Sequence, residues 1–243
     1  MNLRDVQRNW HLFGQTDPYW AILTIPGKEN NRWDPVEFFE SGRAEIAEVM
    51  KYVLSVAPDV KRRRALDFGC GLGRLTEPLA DYFDAVTGVD IAPSMIERAR
   101  ERSAKDGRCE FVLNQRDDLS ILGTGSFDFV YSFITLQHMP PRYIRRYVRE
   151  FGRLLAPRGI LLFQLPGRPR LPGRRFRRLR LAAYRLYRRL KPSTGAVMDM
   201  YGVPPPRVRR LLERAGCEVL AVMPDGSAGA DWEGFRYCAR KLC

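Results

Sequence analysis

Apolar residues along the chain repeat at two periods. From Val36 to Val56, VEFFESGRAEIAEVMKYVLSV spaces them three and four apart behind Asp34 and Pro35, which predicts an amphipathic helix. The run ALDF (65–68) predicts a short buried strand. A glycine-rich turn follows, then a helix with Leu72, Leu75, Leu79 and Tyr82 or Phe83 on one face. The alternation continues: AVTGVD predicts a strand, APSMIERARERSAKDG a helix, CEFVL a strand and, after a polar loop, FDFVYSFI another. From Pro141 to Leu155 the residues Ile144, Tyr147, Val148, Phe151 and Leu154 make one helical stripe, and GILLFQLP reads as a buried strand. Near the end PPPRVRRLLERAG predicts a helix with proline before its first turn. CEVLAVM and FRYCARKL predict two strands close enough in sequence to pair antiparallel.

Repeated strand–helix units predict an α/β fold, a doubly wound and mostly parallel sheet covered on both faces. No internal repeat is evident. The expected organisation is an N-terminal helical extension over residues 1–60 and a cofactor-binding domain over 61–243, with a basic helical insertion at 166–195.

Composition narrows the class. The chain has 243 residues, 45% of them hydrophobic, enough for a proper core. No apolar run approaches the ~20 residues that span a bilayer, and MNLRDVQRNWHLFG lacks the apolar centre of a secretory signal. A cytoplasmic protein is expected. The five cysteines have no paired C-x-x-C spacing, so neither a disulfide framework nor a metal site is expected. The terminal CARKLC is not a prenylation box.

Charge is unevenly placed. Of 41 lysines and arginines, 13 lie between Phe151 and Met198, where there is no acid, and the rest of the chain balances 28 basic against 28 acidic residues. Basicity therefore belongs to one segment and not to the fold, which weakens the case for nucleic acid that an overall pI near 9.9 would otherwise make.

Candidate chemistry gathers at the first strand. Gly69, Gly71 and Gly73 follow ALDF, where parallel strands point their carboxyl ends at a shared crevice. Without side chains they allow tight turning and let a ligand lie on the peptide groups. A dinucleotide fingerprint wants a third glycine at the sixth position, which is Arg74 here. A second acid, Asp90, closes the next strand, where a carboxylate can accept both hydroxyls of a ribose.

Asp67-Phe-Gly69-Cys70-Gly71-Leu-Gly73, taken with Asp90 and the order of elements, resembles the class I S-adenosylmethionine-dependent methyltransferases over most of the chain. The resemblance implies a Rossmann-like seven-stranded sheet whose last strand inserts antiparallel between the fifth and sixth. It implies S-adenosylmethionine as cofactor, with Asp67, Gly69, Cys70, Gly71 and Gly73 at its methionine end, Asp90 at the ribose, and Ile91 and Met95 flanking the adenine. Where the family often places an acid after the third strand this chain has Gln115, so Asp117, Asp118, Leu119 or their backbone are expected at the adenine instead. Arg43 is a candidate for the cofactor carboxylate. Pro157-Arg158-Gly159 stands where Pro-Gly-Gly is usual.

His138, just beyond the fourth strand in TLQHMPP, is the candidate general base, or else fixes its loop by hydrogen bonds. The aromatic N-terminal arm, with Trp10, Phe13, Tyr19, Trp20 and Trp33, either closes over the ligands or packs across the sheet end. Tyr201 and Trp232 are candidate walls of an acceptor pocket. In the insertion, Phe176, Leu179, Ala183, Leu186 or Tyr187 and Leu190 share one helical face opposite arginines. This basic amphipathic helix, 168–191, suits a packed lid or an anionic membrane surface, and nucleic acid is less favoured. The expected function is methyl transfer to a small-molecule, glycan or lipid-linked acceptor, at oxygen, in the cytoplasm or at the inner membrane face. The rivals are a nucleic-acid methyltransferase using the basic helix and a non-catalytic cofactor-binding protein.

Overall fold

A computed structural model describes residues 1–103, 107–170 and 195–242. The predicted basic helix at 168–191 lies almost wholly outside them. The seven predicted strands are all present: β1 (Arg64–Phe68), β2 (Ala85–Asp90), β3 (Cys109–Leu113), β4 (Phe127–Ser132), β5 (Leu155–Pro169), β6 (Cys217–Asp225) and β7 (Trp232–Lys241). They form one sheet in the order β3-β2-β1-β4-β5-β7-β6, with β7 antiparallel to both of its neighbours. The Rossmann-like mixed sheet expected from the sequence is the sheet observed.

Helices cover both faces because alternate strand residues are apolar on both. One face buries Leu66, Val130, Leu161 and Phe163 against α6 (Pro141–Leu154) and α7 (Pro205–Arg214), whose stripes are Ile144, Tyr147, Val148, Phe151 and Val208, Leu212. The other buries Ala65, Phe129, Tyr131 and Leu162 against α3 (Pro35–Val56) through Ile46, Val49, Met50 and Val53. Each such side chain taken out of water contributes about 1.5–3 kcal/mol, so these stripes hold the layers together. Two ion pairs add direction: Arg236 of β7 meets Glu45 of α3 at 3.1 Å, and Arg63 meets the buried Asp128 at 2.8 Å.

The chain's first helices, α1 (Leu3–Thr16) and α2 (Pro18–Ile22), fall in the aromatic arm of the N-terminal helical extension expected over residues 1–60. A capping box starts α1: the Asn2 side chain accepts from the Asp5 N–H, and the Asp5 carboxylate accepts from the Asn2 N–H. Docking comes from α5 (Pro93–Ser103), where the Ser94 hydroxyl donates to the His11 carbonyl at 2.8 Å.

The helix predicted after the glycine turn is shorter than its apolar pattern. Only Thr76–Leu79, α4, is regular, although Leu72, Leu75, Leu79 and Phe83 are all buried as expected. Pro78 has no N–H to return to the Arg74 carbonyl, so that one rung is missing while Glu77 and Leu79 still bond to the Gly73 and Leu75 carbonyls. The Arg74 carbonyl rests instead on Gly42 of α3, where a Cβ would come within 2.2 Å of it. Arg158, standing where the resemblance leads one to look for glycine, adopts φ 66° and is held by an ion pair with Asp59.

Gly42→Ala tests this contact. Alanine gains about 1 kcal/mol in helix propensity, but the backbone oxygen opposite has no rotamer by which to retreat, and overpacking costs about 1–3 kcal/mol. The expected outcome is a lower thermal midpoint than the parent in calorimetry.

Candidate functional site

Between β1 and β4 the strand order reverses, and the loops leaving the two strands diverge to open a crevice at the sheet's carboxyl edge. A cavity of about 650 Å³, counted with its open mouth, lies there. Phe68, Gly69 and Gly71 form one side and Asp90, Ile91 and Met95 the next. Phe133, Ile134 and Thr135 leave β4 opposite, while Val6, Trp10 and Ile22 bring α1 and α2 over the opening.

The glycine turn is fixed by the end of β2. The amides of Gly69 and Cys70 donate to the Val89 carbonyl at 2.7 and 3.1 Å, and the Gly71 amide donates to Asp90 Oδ2 at 2.9 Å. Asp90 Oδ1 accepts from the Ala92 amide at 2.8 Å. Gly69 has φ 80° and Gly71 φ 53°. A Cβ on Gly69 would stand 2.2 Å from the Thr135 side chain, and one on Gly71 would stand 2.6 Å from Ile22 Cδ1. Both positions therefore favour glycine, and they leave bare peptide against the cavity.

Burial raises the Asp90 carboxyl above its ordinary range, against the pull of the amides of Ala92, Gly71 and Ile91. Asp67 is pushed up to about 6 by burial, opposed by the Thr76 hydroxyl and the charge of Arg74. Ile134, a β-branched residue, is held at φ 46°, a left-handed conformation that costs roughly 1–3 kcal/mol. This strain sits in the loop that presents Phe133 and Thr135 to the cavity, with the Thr135 hydroxyl donating to the Phe133 carbonyl at 2.9 Å.

The sequence-predicted residues fall into three groups. Gly69, Gly71, Asp90, Ile91 and Met95 line the cavity together. Asp67, Cys70 and Gly73 stand behind that wall: Asp67 accepts from the Thr76 hydroxyl at 2.7 Å, and Cys70 packs among Ile96, Ala99 and Phe111. The others lie elsewhere. Asp117 and Asp118 pair with Arg146, Leu119 is core, and Asn114 alone of that loop reaches the cavity, its side chain bridging the Arg116 amide and the Asp118 carbonyl. An exposed arginine on α6 draws both acids outward, so the acidic pair does not line the cavity and Asn114 does. Arg43 pairs with Glu40 and Asp81 on the outer side of α3 and does not reach the cavity. The arginine buried near the turn is Arg74, whose Nη1 donates to Ser41 Oγ.

His138 differs from a general base in its surroundings. Its Nδ1 lies 2.9 Å from the Asp199 carbonyl, an acceptor only, so Nδ1 carries the proton. Nε2 then accepts from the Gln137 amide at 3.1 Å. Neither nitrogen is left for a substrate, and burial holds the ring neutral, with its pKa lowered to about 4. What His138 does is support Trp10, whose ring centroid is 5.1 Å away and which lines the cavity. Tyr201 and Trp232 do not line it; the Tyr201 amide donates to the Gln137 carbonyl. Of the aromatic arm, Trp10 faces the cavity while Tyr19 and Trp33 pack on Phe38.

Several cavity residues escaped the sequence reading. Thr135 and Met139 lie in TLQHMPP, where His138 drew the attention, and Tyr147 belongs to a stripe that looked purely structural. Leu3, Val6, Trp10 and Phe13 at helical spacing behind Asn2-x-x-Asp5 were the available signal for α1.

A reversal crevice, a turn of glycines and a carboxylate closing the next strand are the features that the resemblance to class I S-adenosylmethionine-dependent methyltransferases implies, and they lie in the part of the chain that matches a family model. Residues 65–159 match the family model described as a methyltransferase domain. The ubiquinone biosynthesis O-methyltransferase of Xanthomonas oryzae pv. oryzae (strain PXO99A) is 32% identical over 133 residues, covering 54% of this chain and 54% of that protein. The 2-methyl-6-phytyl-1,4-hydroquinone methyltransferase of Synechocystis sp. is 38% identical over 98 residues, 40% of this chain and 30% of that one. The chain thus spans about half the length, or less, of these curated relatives. Among solved structures, magnesium protoporphyrin IX methyltransferase from Synechocystis with bound S-adenosylhomocysteine superposes over 99% of this chain and 100% of its own, with a TM-score of 0.65 and 20% identity, a likeness of fold.

The neutral His138 has a consequence for stability. Unfolded, it takes up a proton near pH 6.5; folded, it does so only near 4. Stability is therefore lost as pH falls through this window, by about 2 kcal/mol at pH 5 relative to pH 7. Urea titrations at the two pH values should show this difference shrink in His138→Gln, whatever the variant's stability at pH 7.

Proposed function

We propose that the protein transfers the methyl group of S-adenosylmethionine to a hydroxyl oxygen of a hydrophobic small-molecule acceptor. The observation that carries the reading is the glycine turn bonded to Asp90, opening directly onto a roofed and mainly apolar cavity.

The residues fit the cofactor. Bare peptide at Gly69 and Gly71 admits a ligand to contact distance, and each Asp90 oxygen, with one lone pair on a backbone amide, keeps another for a ribose hydroxyl. Ile91 and Met95 offer apolar walls for a base, beside the amide-bearing Asn114. Asp67, buried with its carboxyl raised, would gain a counter-charge from an ammonium at the methionine end.

When bound, the cofactor supplies a methyl group already activated by a positive sulfonium. The chain's own part is then to hold the acceptor in line and keep water out, and positioning of this kind is worth up to about 7–11 kcal/mol. Val6, Trp10 and Ile22 exclude water from above, and His138 keeps Trp10 in place. His138 serves as a positioning residue in this reading, not as the base; a phenolic acceptor gives its proton to bulk water before it attacks as the phenolate, with a neutral thioether as the leaving group. Oxygen as the target is supported by the similarity to ubiquinone biosynthesis O-methyltransferase, and a hydrophobic acceptor by that to the phytyl-hydroquinone enzyme. A hydroxyl-bearing lipid or glycan satisfies the same geometry.

The test is release of S-adenosylhomocysteine during incubation with a panel of catechols and hydroquinones, run beside bulk transfer RNA. Turnover is expected with a phenolic member and none with RNA. Gly69→Ala should weaken cofactor binding at least about tenfold by calorimetry, since the new methyl meets Thr135. Methylation of RNA alone, or parent affinity in the glycine variant, would refute the reading.

A further inference from the structure

On the covered side of the sheet, away from the cofactor cavity, α6 and α7 frame a second concavity of about 740 Å³, again counted with its open mouth. Four arginines line it: Arg145 from α6 and Arg207, Arg210 and Arg214 from α7. No acid lines it. We propose that this groove is a binding site for phosphate groups, presented by an anionic lipid headgroup or by a soluble phosphate ester.

The sequence builds the line of charge by helical geometry. On α7, Val208 and Leu212 are fully buried. Arg207, Arg210 and Arg214 recur at i, i+3 and i+7, which puts them along a single different stripe, facing the groove. Arg145 stands one turn beyond Pro141, which also borders the groove.

Pairing separates these four from Arg146 and Arg153. On the same helix α6, Arg146 is matched by Asp117 and Asp118, and Arg153 by Glu150. Arg145, Arg207, Arg210 and Arg214 form no ion pair among the described residues; Arg210 donates only to the Pro206 carbonyl, at 3.3 Å. Like charges gathered along one concave wall repel one another, and a concavity with low-dielectric walls focuses their field. A phosphate relieves that repulsion and suits the planar, two-pronged guanidinium. Among the described residues the large exposed apolar side chains lie elsewhere, at Ile25, Val36, Val56, Ile121 and Leu242, so none of them borders this groove. The attraction is to the headgroup charge itself.

The groove also has a route to the active site. Its floor, Gly202 to Pro204, continues the strand of chain in which the Asp199 carbonyl accepts from His138 and the Tyr201 amide donates to Gln137. A phosphate held there steadies the segment behind Trp10.

The experiment uses the full chain with two probes, inorganic pyrophosphate in calorimetry and flotation with phosphatidylglycerol vesicles against pure phosphatidylcholine, at ~100 mM salt. Pyrophosphate should bind, with an affinity that falls as salt rises and drops at least tenfold in Arg207→Gln/Arg210→Gln/Arg214→Gln. Affinity for S-adenosylhomocysteine should be unchanged, because none of the three lines the cofactor cavity. Flotation with the anionic vesicles, lost in the same variant, assigns the phosphate to lipid; pyrophosphate binding without flotation assigns it to a soluble ester. If the triple variant misfolds, Arg145→Gln and Arg210→Gln carry the same comparison singly. Binding of neither probe, binding of both undiminished in the variants, or retention of transfer RNA alone through these arginines overturns the proposal.

Discussion

The carboxylate of Asp90 bonded to the amides of Gly71 and Ala92 is the constraint on which the rest of the site depends. It ties the turn after β1 to the end of β2 at the sheet's carboxyl edge, so that one side chain fixes two loops. Such a bond is charge-assisted and sheltered from water, and it is stronger for both reasons. Its geometry favours the glycines: the turn held there gives Gly69 and Gly71 positive φ, and Gly69 lies too close under Thr135 for any side chain. The same carboxylate lines the cavity, so the group that fixes the turn also faces the space beside it.

Around that point the fold spends polar groups on position more than on reactivity. His138 is locked neutral between Asp199 and Gln137, Tyr147 gives its hydroxyl to the Arg116 carbonyl, and Asn114 braces its own loop. Methyl transfer from a sulfonium suits such a site, because the leaving group brings its own activation and the protein has chiefly to orient and to exclude water. The roof is correspondingly apolar and tied at its far end: the Leu3 amide donates to the Tyr143 hydroxyl and Arg142 donates to the Met1 carbonyl, joining α1 to α6.

Charge follows a separate logic. On α6, Arg146 and Arg153 meet acids, whereas the four arginines that line the groove between α6 and α7 form no ion pair among the described residues. The sequence reading placed the basic excess in the segment from Phe151 to Met198, yet Arg207, Arg210 and Arg214 lie beyond it. They were overlooked because Glu213 and the balanced count of the remaining chain average them away, whereas a helix sorts them onto one stripe.

The sequence by itself determined the sheet. Runs such as AVTGVD and CEFVL are too short and too apolar for helices, and their alternation with helical stripes admits few topologies. It also determined the glycine turn and Asp90, since a backbone conformation that excludes side chains leaves its mark in residue type. Only the tertiary structure decided which neighbours became the site. Arg43, Asp117 and Asp118 have the right chemistry, but each found an opposite charge nearer than the cavity, and local sequence does not say which partner a long side chain will meet. Thr135, Asn114 and Trp10 come from segments far apart in the chain and converge because the strand order reverses between β1 and β4. Convergence of that kind is a property of topology, and no single stretch of sequence contains it.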